Sequence, residues 1–389
     1  MTRSSEPARE ASEKSSKRSP RASSRTDNNT SASVPAAKPV VEAAQDIALA
    51  NCAQVAPSRP GLSGSGNPVL VKLAEYESVC GGAFTDHSMF FAGMPTDLSQ
   101  VADQASYVAG VLKQYASYDI KPMVVLEPQK GMDLHAYATG AFDDSMQAYF
   151  AALKNLGVTD ATIGQWVLFP EANIPEWGNT DPNDYAANVT RTAQMLKANF
   201  PAAKVLLMLD SKTYPSNDQD YLQGKYVSLA PYIQNIPKGL VDSFGLQGFP
   251  WAAPANTNWE SSEDAGVFLN HSIAEEAARI LGRSNVWFNT GTYNVYYANS
   301  PEMRVVATAE RRQSVMRSVT SQITAMKNKG FNVSVNIFAE DKSAVTEARD
   351  WSYWPAGNPA GSSHTDIFKR FIADMNNNSI SVGIYDSSK

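Results

Sequence analysis

The chain has 389 residues, 43% of them hydrophobic, two cysteines and a formal net charge of −6 at pH 7. Its first forty residues carry eight Lys/Arg against four Asp/Glu, which leaves −10 on the remainder, too acidic for a nucleic-acid-binding core. No run of 18 apolar residues is present, so no membrane-spanning segment is expected, and no apolar stretch follows the charged N-terminus as a signal peptide requires.

The segment MTRSSEPAREASEKSSKRSPRASSRTDNNTSASVPAAKPV has no aromatic residue and almost nothing large and apolar. Such a stretch cannot bury enough surface to offset its conformational entropy. Residues 1–65 are therefore expected to form a disordered, basic leader and linker, and 66–389 a single folded domain. ALANC at 48–52 is no lipoprotein cleavage site, because the preceding VVEAAQDI carries two acids. Cys52 and Cys80 could form one disulfide at the entry to the folded part or remain as two thiols. Together with the scattered His87, His135, His271 and His364 they show no metal-ligand spacing, so neither a metal nor another cofactor is expected.

From residue 69 onward, apolar runs alternate with amphipathic ones. VLVKLAEYESV (69–79) and SMFFAGM (88–94) read as early strands. LSQVADQASYVAGVLKQYASY (98–118) places Val101, Tyr107, Val108, Val111, Leu112 and Tyr115 on a helical stripe. KPMVVLEPQ (121–129) reads as a strand, DDSMQAYFAALKNLG (143–157) as a helix with an acidic start and a glycine stop. GQWVLFPEAN (164–173) is the next strand, and 181–201 the next helix, with Tyr185, Val189, Leu196 and Phe200 on one face. AKVLLMLDS (203–211), VDSFGLQGFPW (241–251), VWFNTGTYN (286–294) and FNVSVNIFAED (331–341) are further strands. Helices are expected at 226–236, 265–282, 308–330 and 364–377.

Short, continuous apolar strands separated by helices imply a parallel sheet covered on both faces. GLSGSGN (61–67) precedes the strands and lacks a dinucleotide-binding spacing. A (β/α)8 TIM barrel fits best, with a doubly wound sheet as the alternative.

Barrel chemistry sits at the C-terminal ends of strands. Those ends supply Glu127, Glu171, Asp210, Gln247, Asn289, and Glu340 with Asp341. Trp177, Trp251, Trp351 and Trp354 follow them, whereas Trp166 and Trp287 fall within strands and are expected in the core. Carboxylates and amides hydrogen-bond sugar hydroxyls and indoles stack on sugar faces, so this rim suits a carbohydrate cleft. Any one strand-end acid could instead cap a helix or pair with arginine.

KPMVVLEPQ and PEANIPEWGNTDPNDYAANVTRTAQMLKANFP resemble the third- and fourth-strand segments of glycoside hydrolases of the large two-carboxylate barrel clan, nearest to family 26, the β-mannanase-like group. The resemblance covers roughly 88–215. It implies that Glu171 is the acid/base and Asn173 a sugar-positioning amide, although the family's flanking His and Gly are absent here. It also implies a nucleophilic glutamate closing the seventh strand, where VWFNTGTYN offers only Asn289 and Thr290. The second carboxylate would then come from elsewhere, Glu340 first, then Asp210 and Glu127. An inverting mechanism with a more distant base, or a barrel that only binds glycans, would account for the gap equally well.

The expected function is hydrolysis of O-glycosidic bonds in a polysaccharide or oligosaccharide, with Glu171 and Glu340 catalytic. Asn173, Trp177, Asp210, Gln247, Trp251, Asn289 and Glu127 would bind substrate. The alternative is a catalytically inactive glycan-binding barrel. Lyase or aldolase chemistry would need a strand-end lysine, for which Lys212 is the candidate. Carbohydrate is the expected partner of a monomer, and the resemblance implies an extracellular or cell-surface setting.

Overall fold

The structure is a computed structural model that describes Cys52, 57–174, 180–211, 228–250, 265–292, 294–297, 300–305, 309–339, 341–342, 349–350, Tyr353 and 363–385. The chain divides into two units, 1–43 and 44–389, and every described residue belongs to the second. The expected leader lies outside the described residues except for Cys52 and 57–65.

Eight parallel strands close into a barrel: β1 (His87–Gly93), β2 (Lys121–Glu127), β3 (Gln165–Leu168), β4 (Val205–Asp210), β5 (Ser243–Gln247), β6 (Asn285–Gly291), β7 (Asn332–Phe338) and β8 (Ser381–Tyr385). Each pairs with its sequence neighbours, and β8 returns to β1. The helices between them are α1 (Pro68–Cys80), α2 (Leu98–Ser117), α3 (Asp143–Asn155), α4 (Pro182–Asn199), α5 (His271–Leu281), α6 (Ala309–Asn328) and α7 (Ser363–Asn377). The protein is thus a TIM barrel. Segments 294–297, 300–305, 341–342 and 349–350 form a separate antiparallel sheet.

The continuous apolar strands have two buried faces. In β4, Val205, Leu207 and Leu209 point outward into the core beneath the helices, while Leu206 and Met208 point into the barrel. The same alternation puts Met123 and Val125 of β2, Val167 of β3 and Trp287 of β6 inside, against Phe338 of β7. Trp166 packs outside and Trp287 inside, so both are core residues as expected.

Two readings of the chain are corrected. VLVKLAEYESV is not a strand but most of α1: Asn67 caps it by accepting from the Val69 and Leu70 N–H groups, Pro68 opens it, and Gly81 closes it in the left-handed region. Its buried Val69, Leu70, Leu73, Tyr76, Glu77 and Cys80 recur at helical spacing. The true closing strand, SVGIY at 381–385, follows the last expected helix. The strand count therefore moves by one: GQWVLFPEAN supplies the third strand, VWFNTGTYN the sixth and FNVSVNIFAED the seventh.

The entry to the domain is tied down. Cys52 and Cys80 form a disulfide with Cα atoms 5.1 Å apart. Arg59 pairs with the buried Glu77 and donates to the Thr85 carbonyl at 2.6 Å. Burial pushes the Glu77 carboxyl up from its ordinary pKa, against the opposing effect of Arg59.

Candidate active site

The alternation that fills the barrel also decides what reaches its mouth. Inward positions of β4 run Leu206, Met208, Asp210; those of β5 end at Gln247, and those of β6 run Trp287, Asn289. Register aligns these ends, with Asp210 opposite Gln247, Gln247 opposite Asn289, and Asn289 opposite Asn336 of β7. In a parallel sheet, residues in register point to the same side. Asp210, Gln247, Asn289 and Asn336 therefore form one polar row around the inner wall. On the other side, Glu127 ends the inward series of β2.

Glu171 joins this row differently. β3 stops at Leu168, and the chain turns through Phe169 (φ 48°) and Glu171 (φ 56°), both in the left-handed region. That region costs a non-glycine residue roughly 1–2 kcal/mol and is a recurrent feature of functional turns. The turn is nonetheless held on both sides. The Phe169 N–H donates to the Leu126 carbonyl at 3.2 Å and the Glu171 N–H to the Met208 carbonyl at 3.1 Å, which continues the ladder beyond the strand. Phe169 is buried edge-to-face against Tyr137, with centroids 5.2 Å apart.

Asn173 completes the clamp. Its side-chain oxygen accepts from the Asp210 N–H and its nitrogen donates to the Asp210 carbonyl, both at 3.0 Å. This amide imitates a strand backbone and pins the turn to the end of β4. Asn173 is buried.

The Glu171 carboxylate, half-buried, accepts a hydrogen bond from the Gln247 amide nitrogen. Gln247 in turn accepts from the Asn289 amide nitrogen at 2.6 Å. Both amides are buried. Backbone bonds fix their carriers: the Ser211 N–H donates to the Gln247 carbonyl at 2.6 Å and the Gly248 N–H to the Asn289 carbonyl at 3.0 Å. A Cβ at Gly248 would overlap the Phe268 carbonyl oxygen, so only glycine permits this approach after β5.

Of the residues singled out from sequence, the structure thus brings Glu171, Gln247 and Asn289 into one hydrogen-bonded chain and sets Asp210 in their row. Glu127 is half-buried at the end of β2. Glu340, Asp341's neighbour, lies outside the described residues, as do Trp177, Trp251, Trp351, Trp354 and Lys212. In sequence Glu340 follows Phe338, the last residue of the seventh strand, by two residues. By the recount of strands Glu171 follows the third strand, where the resemblance counted it on the fourth.

Three features were missed from sequence. Phe249, just past β5, packs on Phe338 with centroids 5.4 Å apart, and Phe91 of β1 borders the same interior cluster; phenylalanines in strand-like runs carry no signal that separates rim from core. Asn336 lies mid-strand, where no strand-end rule finds it. Arg312, on the first turn of α6, is buried and donates to the Thr292 hydroxyl at 2.8 Å just past β6. A helix-borne arginine reads from sequence as a solvated charge.

Among the described residues no cluster of metal-binding side chains is present and no helix is long and apolar enough to cross a membrane. No protein-family model and no curated protein matches the sequence. Among solved structures, the fold is similar to that of the Thermotoga maritima β-glucosidase in complex with cyclophellitol (TM-score 0.51, 10% identity, covering 83% of this chain and 93% of that one). It is similar to the same enzyme in complex with deoxynojirimycin (TM-score 0.50, 9% identity, 82% and 93%). It is also similar to the exo-β-1,4-mannosidase Op5Man5 from Opitutaceae bacterium strain TAV5 (TM-score 0.51, 12% identity, 83% and 58%). At these identities the likeness is one of fold.

Proposed function

We propose that this barrel hydrolyses O-glycosidic bonds, with Glu171 as one of two catalytic carboxylates and Glu340 as the other. The observation that carries the reading is the placement of Glu171 at the barrel mouth, on a left-handed turn, in hydrogen-bonded contact with Gln247. A carboxylate needed only as a helix cap would not require backbone strain or an inward-facing amide partner. Support comes from the fold shared with a β-glucosidase and a β-mannosidase, enzymes named for their action on glycosides. The order of residues along the chain adds to it, because Glu340 follows the seventh strand by two residues.

Such chemistry needs one carboxyl that gives a proton to the departing glycosidic oxygen and one carboxylate that attacks the anomeric carbon or activates water. Asp210 and Glu127 end the inward series of the strands either side of β3; sugar hydroxyls are the groups they would bind. Phe249 and Phe91 supply apolar surface for a sugar face.

The test is turnover of a panel of aryl glycosides and oligosaccharides by the wild type and by Glu171→Gln. The expected outcome is a loss of about 10²–10⁴-fold in kcat with the melting temperature kept within a few degrees. Undiminished turnover by Glu171→Gln removes the assignment. Retention of glycans by the wild type with no product after long incubation replaces hydrolysis by binding alone.

A further inference from the structure

We infer that Asn289 is a positioning residue that, acting through Gln247, holds Glu171 in its ionised form, so that Glu171 serves as the nucleophile or general base of the pair and the proton donor lies on the other carboxyl. The inference rests on the hydrolase reading for its kinetic consequence.

Which amide end faces which neighbour decides the charge state. The Asn289 nitrogen has two hydrogens and two acceptors near it, the Gln247 oxygen at 2.6 Å and the Met208 sulfur at 3.4 Å. A thioether accepts but cannot donate. Turning the Asn289 amide over would set its oxygen against the sulfur lone pairs, so Met208 favours the orientation in which the nitrogen faces Gln247. The Gln247 oxygen is then occupied, and its NH2 end is the one that meets Glu171.

A carboxylate accepts that bond more strongly than the carbonyl oxygen of a carboxylic acid does, because its oxygens carry the charge. Placing the proton on the oxygen that faces Gln247 would require both amides to turn over together, against Met208. Hydrogen bonding of this kind favours the charged form. In the first step the departing glycosidic oxygen takes its proton from the other carboxyl. Glu171 either forms the new bond to the anomeric carbon as the old C–O bond breaks, or takes the proton of an attacking water. Sequence alone suggested the opposite role for Glu171.

Neighbouring charges act on Glu171 as well. Glu127 at the end of β2 and Asp210 at the end of β4 are carboxylates whose charges oppose its ionisation. Among the described residues, β5 and β6 bring no charged side chain to this mouth, and the guanidinium of Arg312 donates to Thr292 beyond β6. Uncharged substitutions leave this background unaltered, so they isolate the amide chain.

The experiment uses Asn289→Leu and Met208→Leu, each alone and in a Gln247→Leu background. Two readouts are followed: the acid limb of kcat/KM against pH, and the titration of the Glu171 side-chain carboxyl by 13C NMR, its resonance assigned by its loss in Glu171→Gln. Asn289→Leu should raise both midpoints by about one pH unit, and Met208→Leu should raise them less. Neither should add anything once Gln247 is gone.

Midpoints that stay put in a folded variant overturn the proposal, and so does a shift that persists in the Gln247→Leu background. Should Asn289→Leu fail to fold, Met208→Leu, a swap of similar volume, carries the same test. If the NMR midpoint moves but the wild type hydrolyses nothing, the amide chain stands and the hydrolase reading falls.

Discussion

Glu171 and Asn173 sit two residues apart and do unlike work. Glu171 was drawn from the sequence as a strand-end acid and Asn173 from the family resemblance, but Glu171 is directed inward by its positive φ, while Asn173 is directed sideways, onto the backbone of β4. No rule of spacing separates these outcomes, because the turn of 169–174 breaks the strand's alternation before either residue. The distinction has a measurable consequence. Asn173→Ala leaves the Asp210 N–H and C=O to find other partners in a buried setting, at a cost of about 2–4 kcal/mol. Thermal or denaturant unfolding should show that loss, and catalysis should fall as the turn loosens. A variant with full stability would show that the clamp is not what holds Glu171.

At the scale of elements, the strand ends were legible because β4, β5 and β6 are continuous apolar runs that each break at a polar residue. Asp210, Gln247 and Asn289 were found for that reason. Misreading α1 as a strand came from the same kind of signal: an 11-residue apolar-rich run with β-branched residues satisfies both periods locally. β8 was missed because five residues after a helix offer little pattern. One element carries the geometry of the amide chain in its backbone alone. Gly248 lies against the Phe268 carbonyl, on the 265–268 helical turn, and the Ser211 hydroxyl donates to that same oxygen. Gly248→Ala should cost about 2–3 kcal/mol or more and displace Gln247. A crystal structure or melting curve indistinguishable from wild type would contradict this account of the β5 end.

At the scale of the molecule, closure makes the site. β8 pairs with β1, reinforced by the Ser88 hydroxyl on the Ile384 carbonyl at 2.7 Å, so residues from both ends of the domain share one wall. The Cys52–Cys80 bond and the Arg59–Glu77 pair hold the chain's entry onto α1. A cross-link across 28 residues restricts the unfolded chain by about 3–4 kcal/mol in the loop-entropy description. Replacing both cysteines by alanine should lower the unfolding free energy by about that amount while leaving Glu171 and its partners in place. Loss of activity at a temperature where the variant is still folded would show that the entry segment contributes to the site itself.

By itself the sequence determined the class of fold, since doubly buried strands separated by amphipathic helices have few other ways to hide both faces. It also determined which residues end the inward series of each regular strand. Only the tertiary structure decided the strand count, the disulfide, and which polar ends meet. Register and barrel closure set those distances, and they depend on pairings between segments far apart in the chain, where local periodicity carries no information.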